Sequence, residues 1–149
     1  MAIVVSTFNR EITELLLAGA QECLVEHGAS KRDIGVFRCP GAFELPQAAN
    51  EIASQGGWDA IVCLGAVIRG ETPHFDYIAD QAAVGIQEMA LKHRLPIVFG
   101  VLTTNTVEQA AARAGGPRGN KGWDAAITAL EMMSLFKIIR SVRRPVKKR

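Results

Sequence analysis

Four stretches of the chain place polar or aromatic side chains directly after short apolar runs: Ser6-Thr-Phe-Asn9, Cys39-Pro-Gly-Ala-Phe-Glu44, Gly65 to His74, and Leu102-Thr-Thr-Asn105. Together they offer an aromatic ring (Phe8), a carboxylate (Glu44), hydroxyls, a histidine (His74) and glycine-opened backbone. In Gly70-Glu-Thr-Pro-His74, Thr72 suits a helix N-cap, and Pro73 has the fixed φ of a first helical residue. The free amides after Gly70, with the helix dipole, then make an anion site. Histidine, beside such an anion, is the side chain type whose proton moves near neutral pH. The same pattern also admits a partly exposed histidine in a cap. Phe8 is either a stacking platform or a core lid. Arg113 either completes a phosphate site through its planar guanidinium or complements a helix C-terminus. For His27 and His93, near helix C-termini, dipole complementarity is sufficient. No Walker loop, GxGxxG, Ser-His-Asp or Cys-His pattern is present. Residue chemistry alone reaches a small anionic substrate and a proton transfer, with the reaction unnamed.

These segments need a scaffold, and four β-branched runs supply it: Ile3-Val-Val5, Ile34-Gly-Val-Phe37, Ala60-Ile-Val-Cys-Leu64 and Pro96 to Leu102. Each is continuous rather than alternating, as strands covered on both faces are, and each precedes a helical pattern. Helices are expected along the stripe Ile12 to Leu24, over Phe43–Ala53 with Pro46 in the first turn, and over His74 to about His93. A fourth should open with a capping box at Asn105-Thr-Val-Glu108 and stop at Ala114-Gly-Gly116. The last should run from near Asn120 to about Val142. Strand–helix alternation with right-handed crossovers predicts an α/β fold: a three-layer α/β/α sandwich with a flavodoxin-like, parallel, four-stranded sheet. Ligands of such sheets bind beyond the carboxyl ends of the strands, where the four polar segments fall.

Composition narrows the class. A chain of 149 residues fits one domain able to bury its own core. No apolar run approaches the ~20 residues of a membrane span, and the N-terminus lacks the basic region of a secretory signal. Cys23, Cys39 and Cys63 are odd in number and apolar in setting, with no metal-site spacing. They read as buried free thiols of a cytoplasmic protein. The net charge of +2 conceals a division. Six basic residues lie in Arg140–Arg149; without them, 11 of the 17 Lys and Arg face 15 Asp and Glu. The domain is therefore placed at 1–142 and a basic tail at 143–149. That tail reads as a solvated appendage rather than a nucleic-acid or membrane patch. Trp123, Ile127, Leu130, Met133, Leu135, Phe136, Ile138 and Ile139 spread over more than one face of the last helix, which predicts a homo-oligomer.

At these residues the chain resembles the 6,7-dimethyl-8-ribityllumazine synthases. The likeness is carried by "VVSTFNREIT", "PGAFELPQAA", "LGAVIRGETPHFDYIAD", "PIVFGVLTTNTVEQAAARAG" and "GNKGWDAAITALEM" in collinear order. The resemblance implies a transferase of riboflavin biosynthesis that uses neither metal nor organic cofactor. It would condense 5-amino-6-ribitylaminouracil with 3,4-dihydroxy-2-butanone 4-phosphate, releasing phosphate and water. By the same resemblance, Phe8 stacks on the pyrimidine ring, and Ala42, Phe43 and Glu44 hold the ribityl chain. Ala66, Val67 and Ile68 line the ring edge through backbone groups. Glu71 and Thr72, with Arg113, cradle the butanone phosphate. His74 shuttles protons, Phe99 closes the pocket from a neighbouring subunit, and Lys121 makes a further contact.

The resemblance also implies pentamers, with active sites between neighbours, in some members gathered into a hollow icosahedral capsid of twelve pentamers. The loop Gly115-Gly-Pro-Arg-Gly119 carries no insertion that would obstruct such packing. Against the shell stand Pro117, where many relatives have lysine, and the two residues before "IVV", where relatives often carry an arm that pairs with a neighbour's sheet. Arg118 offers a substitute charge, and Cys39 conservatively replaces a common valine. Two rival classes are a slow-turnover binding or storage protein for flavin-like ligands, which the intact His74 opposes, and a nucleic-acid-associated scaffold, which only the tail supports.

Overall fold

A computed structural model describes residues 1–142 of the chain. The expected strands form β1 (Ala2–Ser6), β2 (Gly35–Cys39), β3 (Ile61–Ile68) and β4 (Ile97–Thr104). They build one parallel sheet in the order β2-β1-β3-β4. Helices α1 (Arg10–Glu26), α2 (Leu45–Gln55), α3 (His74–His93), α4 (Val107–Ala112) and α5 (Lys121–Ser141) complete the three-layer α/β/α sandwich. The basic tail at 143–149 lies outside the described residues.

Two apolar clusters explain the layering. Ile3, Val5, Val62, Leu64, Val98 and Leu102 pack with Leu16, Ala20 and Leu24 of α1 and Ala125, Ala126 and Ala129 of α5. Ala2, Val4, Ile61, Cys63, Ile97 and Val101 face the other way, onto Leu45, Ala49 and Ile52 of α2 and Ala82 and Ile86 of α3. Successive strand residues point to opposite faces, so a continuous apolar run serves both clusters. The three cysteines are free and buried. On α5, Trp123, Ile127, Leu130 and Met133 pack on the first cluster, while Leu135, Ile138 and Ile139 are exposed.

Some boundaries differ from expectation. The stretch 42–44 is one 3₁₀ turn, and α2 starts only at Leu45, with Pro46 in its first turn as expected. The α4 cap is Thr106, one residue later than the expected box. Thr106 Oγ1 accepts from the Gln109 amide at 3.1 Å, and Gln109 Oε1 accepts from the Asn105 amide at 2.9 Å. Residues 114–120, expected as a stop and a loop, form a hairpin of β5 (Ala114–Gly116) and β6 (Gly119–Asn120). Gly115 and Gly119, both at positive φ, make its irregular turn possible. Asn120 caps α5, accepting from the amides of Gly122 and Trp123.

The feature that shapes the site is a step in the sheet. β1 pairs with β3 only as far as Val5 opposite Leu64, and with β2 as far as Ser6 opposite Cys39. β3 and β4 stay paired to Ile68 and Thr104. Four residues of β3, roughly 13 Å, thus overhang with no strand on their β1 side.

Candidate active site

Unpaired strand backbone is a hydrogen-bonding surface that must be satisfied by something other than the ladder. Here Asn9 takes one position, its Nδ2 donating to the Ala66 carbonyl at 2.9 Å. Asn9 is left-handed, with φ 56° and ψ 46°, a conformation Asn tolerates better than most non-glycine residues. Its carbonyl accepts from the amides of Ile12 and Thr13, so α1 starts while the side chain stays committed to β3. Sequence reading placed Asn9 in the right segment but gave it no role. The available signal was an Asn directly between a strand end and a helix start.

The β2–α2 turn lies alongside. The amides of Thr7 and Phe8 donate to the carbonyls of Cys39 and Pro40 at 2.9 and 3.0 Å, lashing the two loops together. Glu44 folds back over the turn, its Oε2 only 3.1 Å from where a Cβ on Gly41 would stand, so a side chain there would shift the carboxylate by a few tenths of an ångström. The Cys39 thiol beneath donates to the Gly41 carbonyl at 3.5 Å. Burial, with the Glu44 carboxylate adding to it, pushes this thiol up to about 11.

Between these loops and the first turns of α3 lies a cleft of about 770 Å³. It gathers Phe8, Ala42, Phe43, Glu44, Ala66, Val67, Ile68, Thr72 and His74. The Phe8 ring stands open to solvent at 71% exposure, which removes the core-lid alternative. Gly70, where the anion site is expected, also lines the cleft, as do Phe75, Tyr77 and Ile78, to which the sequence assigns no part in the site. Thr72 does not cap α3. The helix begins at His74, with Pro73 at the N-cap position and no side-chain cap bond. The proline carbonyl accepts from the Asp76 amide at 3.0 Å, and the Thr72 hydroxyl does not take the expected cap role.

Phe99, Arg113 and Lys121 are elsewhere. They line a second cavity, of about 710 Å³, along the edge strand β4 between α3 and α5. Arg113 Nη1 donates to the Gln109 carbonyl at 3.0 Å, complementing the end of its own helix, as the plainer reading of this residue had it. Lys121 pairs with Asp124 at 2.9 Å. Glu71 lies on the exposed turn before α3, outside both sets of lining residues. His27 Nδ1 meets the Cys23 carbonyl at 2.8 Å at the end of α1, whereas His93 bridges to Asn50 of α2 at 2.9 Å. Among the described residues no helix is long and apolar enough to cross a membrane.

The main cleft thus offers an open aromatic ring, unpaired strand backbone, a carboxylate, a hydroxyl and a histidine at a helix start. That is a set for a small polar ligand lying against an aromatic face, with an anionic group at the helix terminus. Comparison with known proteins supplies a family. The chain matches the family described as 6,7-dimethyl-8-ribityllumazine synthase over residues 1–137. It is 52% identical over 136 residues to a protein of Chloroherpeton thalassium named 6,7-dimethyl-8-ribityllumazine synthase, covering 91% of this chain and 88% of that one.

Proposed function

The chain belongs to the 6,7-dimethyl-8-ribityllumazine synthase family, and we propose from this that it condenses 5-amino-6-(D-ribitylamino)uracil with 3,4-dihydroxy-2-butanone 4-phosphate, the penultimate step of riboflavin biosynthesis. The single observation that carries the assignment of the site is the cleft that gathers Phe8, Glu44, the Ala66–Ile68 overhang, Thr72 and His74.

The chemistry is a dehydrating condensation. The 5-amino nitrogen adds to the ketone carbon, and loss of one water leaves an imine. A proton leaves the carbon next to it as the phosphate departs with the C–O bond electrons, giving an enol that tautomerises to a second ketone. The ribitylamino nitrogen closes the ring there with loss of another water. No electrons enter or leave, so proton transfers and orientation are the whole demand. His74 serves the transfers in turn, a contribution of order 10²–10⁴-fold for a general acid–base. Phe8 holds the pyrimidine, the β3 overhang reads its edge, and Ala42, Phe43 and Glu44 hold the ribityl chain. Glu71, Thr72 and the α3 terminus receive the phosphate. Placing both reactants in contact supplies much of the remaining acceleration.

Phe99, Arg113 and Lys121 lie on the other face of the same chain, and in this proposal a neighbouring copy presents them to the cleft. The oligomer is a pentamer or a pentamer-based 60-mer shell, working in the cytoplasm, without cofactor, membrane or nucleic-acid partner. The exposed Leu135, Ile138 and Ile139 support association. Residues 143–149 are an appendage to the 1–142 domain, and their deletion leaves turnover unchanged. The test mixes both substrates and follows lumazine absorbance with phosphate release, subtracting the uncatalysed reaction, while native mass separates pentamer from shell. A parent protein that makes no product above background ends the assignment.

A further inference from the structure

Arg69, the first residue after β3, contacts three separate elements. Its amide donates to the Thr104 carbonyl at 2.8 Å, carrying the β3–β4 pairing one step past the strand. Its Nε donates to Asn105 Oδ1 at 3.1 Å, and its Nη2 to Asp76 Oδ1 at 3.2 Å. The guanidinium also lies over the Phe75 ring, 4.4 Å from its centre. Phe75 and Asp76 directly follow His74 in the first turn of α3. Asn105 precedes the α4 cap, and its own amide is held by Gln109.

The turn between has little else to hold it. Residues 69–74 are all exposed, and nothing lies within 4 Å of where a Cβ on Gly70 would stand. Global stability is not what this arginine supplies, because ion pairs as exposed as Arg69–Asp76 contribute little to it. Orientation is: a planar group held by two acceptors and a ring face has one arrangement, and it sets the spacing between the α3 terminus and the β4–α4 turn.

We propose that Arg69 is a positioning residue, acting through Phe75 and Asp76 to fix where the His74 imidazole and Thr72 hydroxyl stand toward the phosphate-bearing substrate. This rests on the proposed function above. Nothing in it requires Arg69 to touch substrate.

The test is steady-state kinetics with each substrate varied in turn. Arg69→Ala should lower kcat and raise KM for the butanone phosphate, with kcat/KM for it falling about 10- to 100-fold, the usual effect of displacing a reacting group by an ångström. KM for the ribitylaminouracil should stay within about twofold, because the loops carrying Phe8 and Glu44 are untouched. Arg69→Lys keeps the charge without the fork and should remain at least about fivefold impaired. Asp76→Asn and Asn105→Ala each remove one contact and should give smaller versions of the same split, also deciding the matter if Arg69→Ala does not fold. A lysine variant equal to the parent, or both KM values rising together, overturns the proposal. Hydrogen exchange read by mass spectrometry over residues 69–76 judges it without turnover. Arg69→Ala should exchange faster there and at the Asn105 turn but not in the rest of the fold, and unchanged exchange over 69–76 overturns the proposal. A parent without activity would count against the functional assignment, and the exchange result would still judge Arg69.

Discussion

The Asn9 side-chain Nδ2 donates to the Ala66 carbonyl across the step where β1 stops and β3 continues. That bond ties the loop bearing Phe8 to the backbone overhang opposite it. Two terms are at stake, a hydrogen bond of about 1 kcal/mol and a left-handed backbone that costs most residues about 1–2 kcal/mol. Asn9→Ala loses both and should destabilise by roughly 2–3 kcal/mol. Asn9→Gly loses only the bond and should cost about 1 kcal/mol. Thermal melts of both at one protein concentration check this. Equal losses would remove the backbone strain from the account.

His74→Ala should lower kcat about 10²- to 10⁴-fold while both KM values move little. The side chain is exposed at the start of α3, so the melting temperature should not change. Phosphate release and lumazine absorbance, measured on the same samples, show whether every step has slowed together. A variant with parental kcat would take the proton shuttle away from His74.

Phe8→Ala isolates stacking from stability, because a ring 71% exposed contributes little to the fold. Stacking of a nucleobase on an aromatic ring is worth about 1–3 kcal/mol, or roughly 5- to 150-fold in affinity. KM for the ribitylaminouracil should rise by that factor while KM for the butanone phosphate stays put. Phe8→Trp should recover most of the loss. Equal changes in both KM values would point to a displaced loop instead.

The sheet and the five helices were readable because their signals are local: β-branched runs, apolar stripes at helical spacing, capping residues, and Pro46 in a first turn. The overhang was not, since Gly65 ends the β-branched run of β3 in the sequence while the strand itself runs on to Ile68. Its pairing to β4 alone is a property of register. The β5–β6 hairpin was hidden for the opposite reason, its strands being short and glycine-rich, with no β-branched residue to mark them. The α4 cap slipped by one because Asn105 and Thr106 are both capping residues. What separated them is non-local, Arg69 having engaged the Asn105 side chain. The cleft residues from 8, 42–44, 66–68, 72 and 74 lie at strand ends, where topology brings them together. Phe99, in the middle of an edge strand, and Arg113 and Lys121, beyond it, belong to another face that no local pattern separates from the first.

Alkaline pH should destabilise the fold through its buried thiols. Cys39 is pushed from 9.0 up to about 11, and burial raises Cys23 and Cys63 as well. The folded chain therefore holds these protons more tightly than the unfolded chain does. Below pH 9 both states are protonated and the stability is fully present. As pH rises from about 9 towards 11, the unfolded chain releases its protons first, and stability falls. Cys39→Val removes one such group and should flatten part of the decline between pH 9 and 10.5 without changing stability at pH 7 by more than about 1 kcal/mol. Parallel alkaline slopes for parent and variant would show that Cys39 has no part in it.

The two lining sets on one chain predict complementation between damaged copies. His74→Ala spoils the cleft and leaves the β4 face intact; Arg113→Ala does the reverse. If a neighbour's face completes each cleft, an equal mixture of the two chains, assembled together by coexpression or joint refolding, places an intact cleft against an intact face at about a quarter of the interfaces. Activity should then recover to about a quarter of the parent, although each variant alone is nearly inactive. Mixing preassembled oligomers without subunit exchange should recover nothing, which controls for additive residual activity. Should the coassembled mixture stay as inactive as its components, with native mass showing that both chains are present in each particle, the shared site is wrong. Arg113 would then act only on its own helix end, where its guanidinium holds the Gln109 carbonyl.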